Sequence, residues 1–205
     1  FCTPYNVSLT NQEQVDSFTL NFPECTRILG SLTVGAEVWN EYSDITNLDS
    51  LFRITVVGEL NNRNKAMLGN ISGLRNLKTV RGWCNITNNE ELLSLAELQS
   101  LESVGRLTIQ RNRSLGVMGF PTLKSLGSLY VGRNNTLSDL TGLDSISLLS
   151  SAKIEYNGLL SLEGLQNLTS VYRELEVIYN SHLESLQGLN ALEKVGNRFR
   201  VSSNG

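Results

Sequence analysis

The sequence predicts a mainly-β solenoid of about eight stacked turns, each about 23 residues long. Comparison of the chain with itself carries this prediction, because the segments that open at Gly105, Gly127 and Arg173 superpose. They share the pattern G-x-L-x-I-x-x-N-x-x-L-x-x-L-x-G-L-x-x-L-x-x-V. An asparagine also recurs at one corner, with successive gaps of 23, 22, 23, 23 and 24 residues. These corner asparagines are Asn89, Asn112, Asn134, Asn157, Asn180 and Asn204.

The first half of each repeat predicts a β-strand with one buried face. Its L-x-I alternation has the period of a strand, in which successive side chains point to opposite sides. The residues expected to point inward are Leu107, Ile109, Leu129, Val131, Leu175, Val177, Phe199 and Val201. A single turn cannot bury its leucines alone, so the stacked turns are expected to form one continuous apolar core.

The second half of each repeat predicts short strands or extended turns with little helix, because each L-x-x-L-x-x-V stretch is short and interrupted by Gly and Ser. The corner asparagines are expected to hydrogen-bond the backbone of adjacent turns, since a buried amide without partners costs about 1–3 kcal/mol. Two earlier turns carry longer loops, with Glu37 and Asn62 nearest the corner position. We expect one domain, with an N-terminal cap over residues 1–25, irregular turns over 26–81 and regular repeats over 82–205.

Composition and charge narrow the classes of partner. A chain of 205 residues with 40% hydrophobic and 18% charged residues is typical of a soluble folded domain. The net charge of −3 comes with no basic run, so nucleic acid is not expected as a partner. There is also no apolar stretch long enough to span a bilayer, and the N-terminus lacks a signal core. We therefore expect no direct membrane insertion and take the chain as mature or trimmed.

The three cysteines predict one bridge and one buried thiol. Cys2 and Cys25 bracket a polar N-terminal segment, and a disulfide between them would tie down an end that has little core of its own. Such a pairing points to an oxidising compartment. Cys84 stands where other turns carry an inward Leu or Val, which favours an inert thiol over a reactive or intermolecular one.

The start of the chain resembles receptor L domains, the ligand-binding modules of the insulin and epidermal growth factor receptor families. The resemblance lies in Cys2 and in the segment from Cys25 to Val34, CTRILGSLTV, since a first cysteine in those modules pairs with the one that opens a C-x-x-I-x-G-x-L-x-I strand. LTSVY, LEKVGN and the segment from Phe120 to Leu123 are similar to related repeats of fungal and other microbial surface proteins. The resemblance implies a right-handed, leucine-rich-repeat-like β-helix that binds through one sheet face or along an edge. The chain has more turns than a typical receptor L domain, which favours a microbial surface protein over a growth-factor receptor.

Six N-x-S/T sequons occur in the chain, and their positions separate them. Asn112 and Asn134 are corner residues, where a glycan would have to enter the core. The candidates for glycosylation are Asn6, Asn70, Asn85 and Asn167.

Outward residues of the middle turns predict a binding patch on the sheet face. Tyr, Trp and Arg are the residue types enriched where partners dock. The predicted patch comprises Trp83, Arg106, Tyr130, Arg133, Tyr156 and Tyr179. The alternative is a solvated sheet face whose aromatic side chains pack on their cross-strand neighbours.

The sequence does not predict an enzyme. His182 follows a corner and is expected to be a polar loop residue rather than a base or a metal ligand. Glu155, Glu174 and Glu176 share one face and could act as a carboxylate pair, but nearby Lys153 and Arg200 favour solvated ion pairs. No metal site and no cofactor are expected, since no His or Cys cluster or phosphate-binding loop occurs.

The function that these observations favour is that of a non-catalytic extracellular or cell-surface recognition domain. Its expected partner is an extracellular protein or a glycan, and anchoring through a segment outside this chain stays open. The alternative is a structural component of a cell wall or surface coat that self-associates through its last turn, because the final strand leaves an apolar edge uncovered.

Overall fold

The fold is described from a computed structural model over residues 5–36, 43–65 and 68–205, without the side chains of residues 64 and 65. In chain order, the elements are β1 (Val7–Leu9), α1 (Gln12–Asp16), α2 (Phe18–Asn21), β2 (Arg27–Val34), a 3₁₀ helix (Asp49–Leu51), β3 (Val56–Lys65), a second 3₁₀ helix (Ser72–Leu74), β4 (Thr79–Asn89), β5 (Ser103–Gln110), β6 (Ser125–Gly132), β7 (Leu148–Leu149), β8 (Ser151–Glu155), β9 (Ser170–Val171), β10 (Glu174–Ile178), β11 (Lys194–Val195) and β12 (Arg198–Ser202).

The strands form a parallel β-solenoid of about eight turns, which confirms the predicted fold class. Among the described residues, nine strands make the main sheet in the order β1-β2-β3-β4-β5-β6-β8-β10-β12, so each turn adds one strand beside the last. The two-residue strands β7, β9 and β11 make a second sheet from the later half of the repeat. Helices contribute little, as the short interrupted stretches predict.

The core is one continuous column of apolar side chains. Within it, Leu107 pairs in register with Leu129 and Ile109 with Val131, and none of these side chains is more than 3% exposed. Each fully buried leucine stabilises the fold by about 1.5–3 kcal/mol before the entropy of ordering is counted. The predicted inward face of the strands is therefore the face that packs.

Glycine opens several repeats because neighbouring turns approach closely there. A Cβ atom added to Gly105 would collide with the backbone carbonyl of Arg81, and one added to Gly127 would collide with the carbonyl of Gly105. Only a residue without a side chain lets the parallel strands come this close.

The corner asparagines form a hydrogen-bonded ladder inside the solenoid. The backbone N–H of Asn112 donates to Oδ1 of Asn134 over 3.0 Å, and that of Asn134 donates to Oδ1 of Asn157 over 3.1 Å. Each side-chain amide also donates to the preceding turn, as Nδ2 of Asn134 does to the carbonyl of Ile109 over 3.1 Å. The ladder thus supplies partners to backbone groups that the turn at the corner removes from the sheet.

The residue before each corner asparagine has a left-handed backbone. The φ angles lie between 55° and 60° at Asn88, Arg111, Arg133, Tyr156, Tyr179 and Ser203. This conformation costs about 1–2 kcal/mol for residues other than Gly and Asn. Its repetition on six turns shows that the ladder geometry outweighs the cost.

The predicted corner position of Asn62 is wrong. Asn62 pairs with Val34 and Ile86, so it occupies an inward strand position, while Lys65 pairs with the corner residue Asn89. Its side chain is 1% exposed, and neither amide atom has a hydrogen-bond partner among the described residues. The longer loops of the early turns obscured the repeat spacing in the sequence, and only the strand register shows where Asn62 lies. Glu37, the other early corner, lies outside the described residues.

The N-terminal segment joins the solenoid at its first turn. Strand β1 pairs with β2, with Val7 opposite Leu32, and the two short helices bury Val15 and Phe18 against the same core. Cys25 is also buried. Its predicted partner Cys2 lies outside the described residues, so the bridge between them stays a prediction.

The last turn has the predicted register but a different environment. Phe199 pairs with Leu175, and Val201 pairs with Val177. Both side chains are exposed, by 52% and 41%, and β12 is the outermost strand of the described sheet. The two side chains thus have the predicted inward register and form the uncovered apolar edge that the sequence pattern also predicts.

Candidate functional site

The outward residues of the main sheet form two neighbouring columns. The first column holds Trp83, Arg106, Ser128, Ser151, Glu174 and Arg198. The second holds Asn85, Thr108, Tyr130, Lys153, Glu176 and Arg200. Large side chains flank the two serines, so the middle of the face is lower than its rim.

This depression, which we call the face groove, encloses about 400 Å³. It is lined by Trp83, Asn85, Arg106, Thr108, Ser128, Leu129, Tyr130, Ser151, Ala152, Lys153, Glu174 and Glu176. Its volume lies in the range of small-molecule sites, roughly 300–1,000 Å³. The floor is a paired sheet and the walls are side chains from adjacent turns.

One end of the face groove is a stacked aromatic and cationic pair. The guanidinium carbon of Arg106 lies 4.2 Å from the ring centroid of Trp83, which is a cation–π contact. The indole remains 44% exposed. The stacked pair of Trp83 and Arg106 therefore presents an apolar surface and guanidinium donors together.

The side wall is Tyr130, which a hydrogen-bond network holds in place. Its hydroxyl donates to Oε1 of Glu155 over 2.8 Å and accepts from Nε2 of Gln110 over 3.2 Å. Nζ of Lys153 lies 3.0 Å from Oε2 of the same glutamate. Burial, followed by the hydrogen bond to Glu155 and its charge, raises the pKa of Tyr130 to about 12. The phenol is therefore neutral at physiological pH and keeps its donor proton.

Gly132 makes room for this arrangement. A Cβ atom at Gly132 would lie 2.7 Å from the hydroxyl oxygen of Tyr130 and 2.9 Å from its Cζ atom. The phenol thus lies across the glycine to reach Glu155 on the next turn. Glu155 is only 9% exposed, so it is a nearly buried acceptor that also pairs with Lys153.

The other end of the face groove is acidic. Oε1 of Glu176 lies 3.1 Å from the Arg198 guanidinium, and Oε1 of Glu174 accepts from the Asn197 amide over 3.3 Å. The cation beside Glu176 is therefore Arg198, whereas the sequence pattern offered Lys153 and Arg200 as the cations near the three glutamates. Arg200 instead donates from Nε to the hydroxyl of Ser202.

The predicted binding patch divides into two parts. Trp83, Arg106 and Tyr130 line the face groove. The remaining residues form a corner ridge, defined by Arg133, Tyr156 and Tyr179. There the tyrosine rings stack at 4.8 Å with 9° between their planes, and the Arg133 guanidinium lies 4.8 Å from the Tyr156 ring.

The corner ridge has a smaller recess beside it, of about 280 Å³. Tyr156, Tyr179 and His182 line part of it. Both faces of the Tyr156 ring are occupied by neighbours of this chain, which is the cross-strand packing that the sequence left as an alternative.

The sequons occupy different environments. Asn112 and Asn134 are fully buried in the ladder, whereas Asn6 and Asn70 are exposed. Asn167 is exposed, but its Nδ2 donates to the Asp144 carbonyl over 2.7 Å. Half-buried Asn85 lines the face groove and donates to Oδ1 of Asn61 over 2.8 Å. A glycan on Asn85 would therefore cover the groove.

The free thiol and the single histidine take no part in the face groove. Cys84 is buried, and burial raises the pKa of its thiol to about 12, so the reactive thiolate is suppressed. His182 is exposed, and its Nδ1 lies 3.4 Å from the Ser181 hydroxyl.

Within the described residues, no group of three or more His, Cys, Asp or Glu side chains is arranged to hold a metal ion. That part of the chain also includes no helix with the length and hydropathy of a membrane span. Comparison with known proteins finds no matching family model, no matching curated protein and no matching solved structure.

The sequence pattern named Glu155 only as one of three carboxylates on this face, and it did not identify Gly132. Gly132 stands where the repeat carries a variable outward-facing residue, and it pairs with Glu155 on the next strand. The signal in the sequence is a glycine that follows a tyrosine by two residues and stands opposite a carboxylate on the next turn. This signal indicates a Tyr130–Glu155 contact only once the direction of the Tyr130 side chain is known.

Proposed function

We propose that this chain is an extracellular or cell-surface recognition domain that binds an extracellular protein or a glycan through the face groove and catalyses no reaction. The observation that carries the proposal is the shape and chemistry of the groove. Its rim holds an exposed indole, a guanidinium, a phenol and two carboxylates, and its floor holds two serines. Partner binding concentrates on such aromatic and arginine residues around a recess.

The rigidity of the wall supports the same proposal. Tyr130 is held from both sides, by Gln110 and by Glu155, before any partner arrives. A preorganised wall reduces the ordering cost of binding. The separate partners of Glu155 and Glu176 favour binding over carboxylate-pair catalysis, since each carboxylate already has its own cation.

The extracellular location is part of the proposal and has its own support. The resemblance to receptor L domains implies a bridge between Cys2 and Cys25, and exposed Asn6 and Asn70 are accessible to glycosylation. Peptide mapping of the natural protein under non-reducing conditions tests both features. Sugar on Asn112 or Asn134, or a free thiol at Cys2, would contradict them.

The binding proposal is tested by blocking the face groove. The purified domain is screened against extracellular proteins and glycans, and each hit is remeasured with Ser128→Trp, which fills the floor. Ser145→Trp is the matched control, because Ser145 is exposed and does not line the groove. We expect Ser128→Trp to abolish saturable binding that Ser145→Trp retains. Equal binding by both variants would overturn the proposal.

Catalysis is tested separately with acidic and neutral polysaccharides. We expect some of them to be retained by the domain without any release of shorter products. If shorter products form and their formation depends on Glu174 or Glu176, the domain is a hydrolase and the proposed function is wrong.

A further inference from the structure

The two ends of the face groove carry charges that the chain itself leaves unbalanced. Arg106 stacks on Trp83 but has no carboxylate within ion-pair distance among the described residues. Glu174 accepts a hydrogen bond from a neutral amide and likewise has no cationic partner there. By contrast, Lys153 and Glu176 are each paired. The unbalanced groups are those free to recognise charge or hydroxyls on a ligand.

The separation of these groups sets the length of the ligand. Arg106 is followed across the sheet by Ser128 and then Ser151, and Glu174 occupies the next strand of the column. Three strand spacings correspond to roughly 14 Å. Two linked pyranose rings with their substituents span this length.

The floor between the two ends offers hydroxyl groups and no free backbone. Thr108, Ser128 and Ser151 line it, and no hydrogen bond joins their hydroxyls to other described side chains or backbone groups. A hydroxyl both donates and accepts, which matches the hydroxyls of a sugar ring. The backbone beneath is paired on both sides within the sheet, so an extended peptide has no open edge to add to.

We propose that the face groove binds an acidic disaccharide unit, with a uronate carboxylate at Arg106 and ring hydroxyls toward Glu174. The proposal rests on the function proposed above and names its ligand class. The guanidinium donates two parallel hydrogen bonds to the carboxylate, and its stacking on the Trp83 indole holds the guanidinium plane in position. Ser128 and Ser151 exchange hydrogen bonds with ring hydroxyls, and the Glu174 carboxylate accepts from the second ring.

The test uses matched pairs of acidic and neutral disaccharides that differ only in their uronate carboxylates, one in the first pair and two in the second. Cellobiouronic acid is compared with cellobiose, and digalacturonic acid with its neutral galactose counterpart, by calorimetric titration of the whole chain. We expect at least one acidic member to bind about tenfold or more tightly than its neutral partner. Its affinity should fall as salt is added, because part of the attraction is ionic.

Variants of the chain then locate the carboxylate. Arg106→Gln should remove the preference for the acidic disaccharide and leave the affinity for the neutral one unchanged. Glu174→Gln should instead weaken the binding of both disaccharides. Arg113→Gln is the matched control, since Arg113 is exposed and lies outside the groove. Thermal unfolding of each variant checks that the fold is intact.

The outcomes separate this inference from the proposed function. Equal binding of acidic and neutral members, or a preference that survives Arg106→Gln, overturns the carboxylate assignment. If no disaccharide binds but an extracellular protein binds and is lost on Ser128→Trp, the ligand class is wrong and the recognition function stands. If Ser128→Trp and Ser145→Trp behave alike toward every ligand, both proposals fail.

Discussion

Strands β4, β5 and β6 carry two kinds of residue that alternate along one backbone. The inward residues are apolar and at most 3% exposed: Cys84, Leu107 and Leu129. The outward residues beside them change from an indole to a guanidinium to a hydroxyl: Trp83, Arg106 and Ser128. Stacking of the turns constrains only the inward, buried residues of each strand, so the outward residues are free to differ from turn to turn. The scaffold and the candidate site thus occupy alternate positions of the same strands.

The largest expected effect comes from the corner ladder. Asn134→Ala removes the donor to Ile109 and the acceptor for the Asn112 backbone N–H, and it leaves buried polar groups unpaired. We expect a loss of about 3–5 kcal/mol in the free energy of unfolding, measured by chemical denaturation. Asn135→Ala, at the exposed neighbouring residue, should cost less than about 0.5 kcal/mol. Similar losses in both variants would show that the ladder does not stabilise the stack.

The next largest effect on stability compares an inward residue with an outward residue of the same strand. Leu107→Ala opens a cavity in the core and should cost about 3 kcal/mol. Thr108→Ala, one residue further on the groove side, should cost about 0.5 kcal/mol or less in the same denaturation experiment. A costly Thr108→Ala would mean that the groove face also carries the fold.

Tyr130 links the groove face to the interior, because its outward side chain donates a hydrogen bond to the nearly buried Glu155. The folded state holds the neutral phenol, raising its pKa from 10.0 to about 12. Its contribution to stability is therefore present below pH 10 and is lost as the pH rises toward 12. Tyr130→Phe should abolish this part of the alkaline destabilisation and lower stability at pH 7 by about 1 kcal/mol. The readout is unfolding at several pH values together with phenolate absorbance, and an unchanged titration curve in Tyr130→Phe would contradict the assignment.

The smallest effect concerns the left-handed corner. Arg111 has a φ of 55°, and Asn88 holds the same position one turn earlier. Because asparagine tolerates this conformation better, Arg111→Asn should raise the free energy of unfolding by about 0.5–1 kcal/mol. Arg113→Asn provides the comparison, since Arg113 has no positive φ. A drop in melting temperature specific to Arg111→Asn would show that the arginine side chain makes a contribution larger than the backbone cost.

Sequence pattern located much of the scaffold and part of the site. The corner residues from Asn89 onward occupy one position of the repeat, and the outward columns have the register that the L-x-I alternation implies. The position of Asn62 was misjudged because the early loops differ in length. The division of the predicted patch was also not foreseen, since residues two to four positions apart in a strand and its corner face different directions once the chain turns.

By itself, the sequence determined the period, the number of turns, the buried face and the corner ladder, because each of these depends on hydrophobic and hydrogen-bonding residues that recur at a constant spacing. Only the tertiary structure decided that Tyr130 crosses Gly132 to reach Glu155, 25 residues away, and that Arg106 lies on Trp83. Those contacts depend on side-chain rotamers that neighbouring turns select together. No spacing along the chain encodes that choice, so the groove becomes visible only when the turns are stacked.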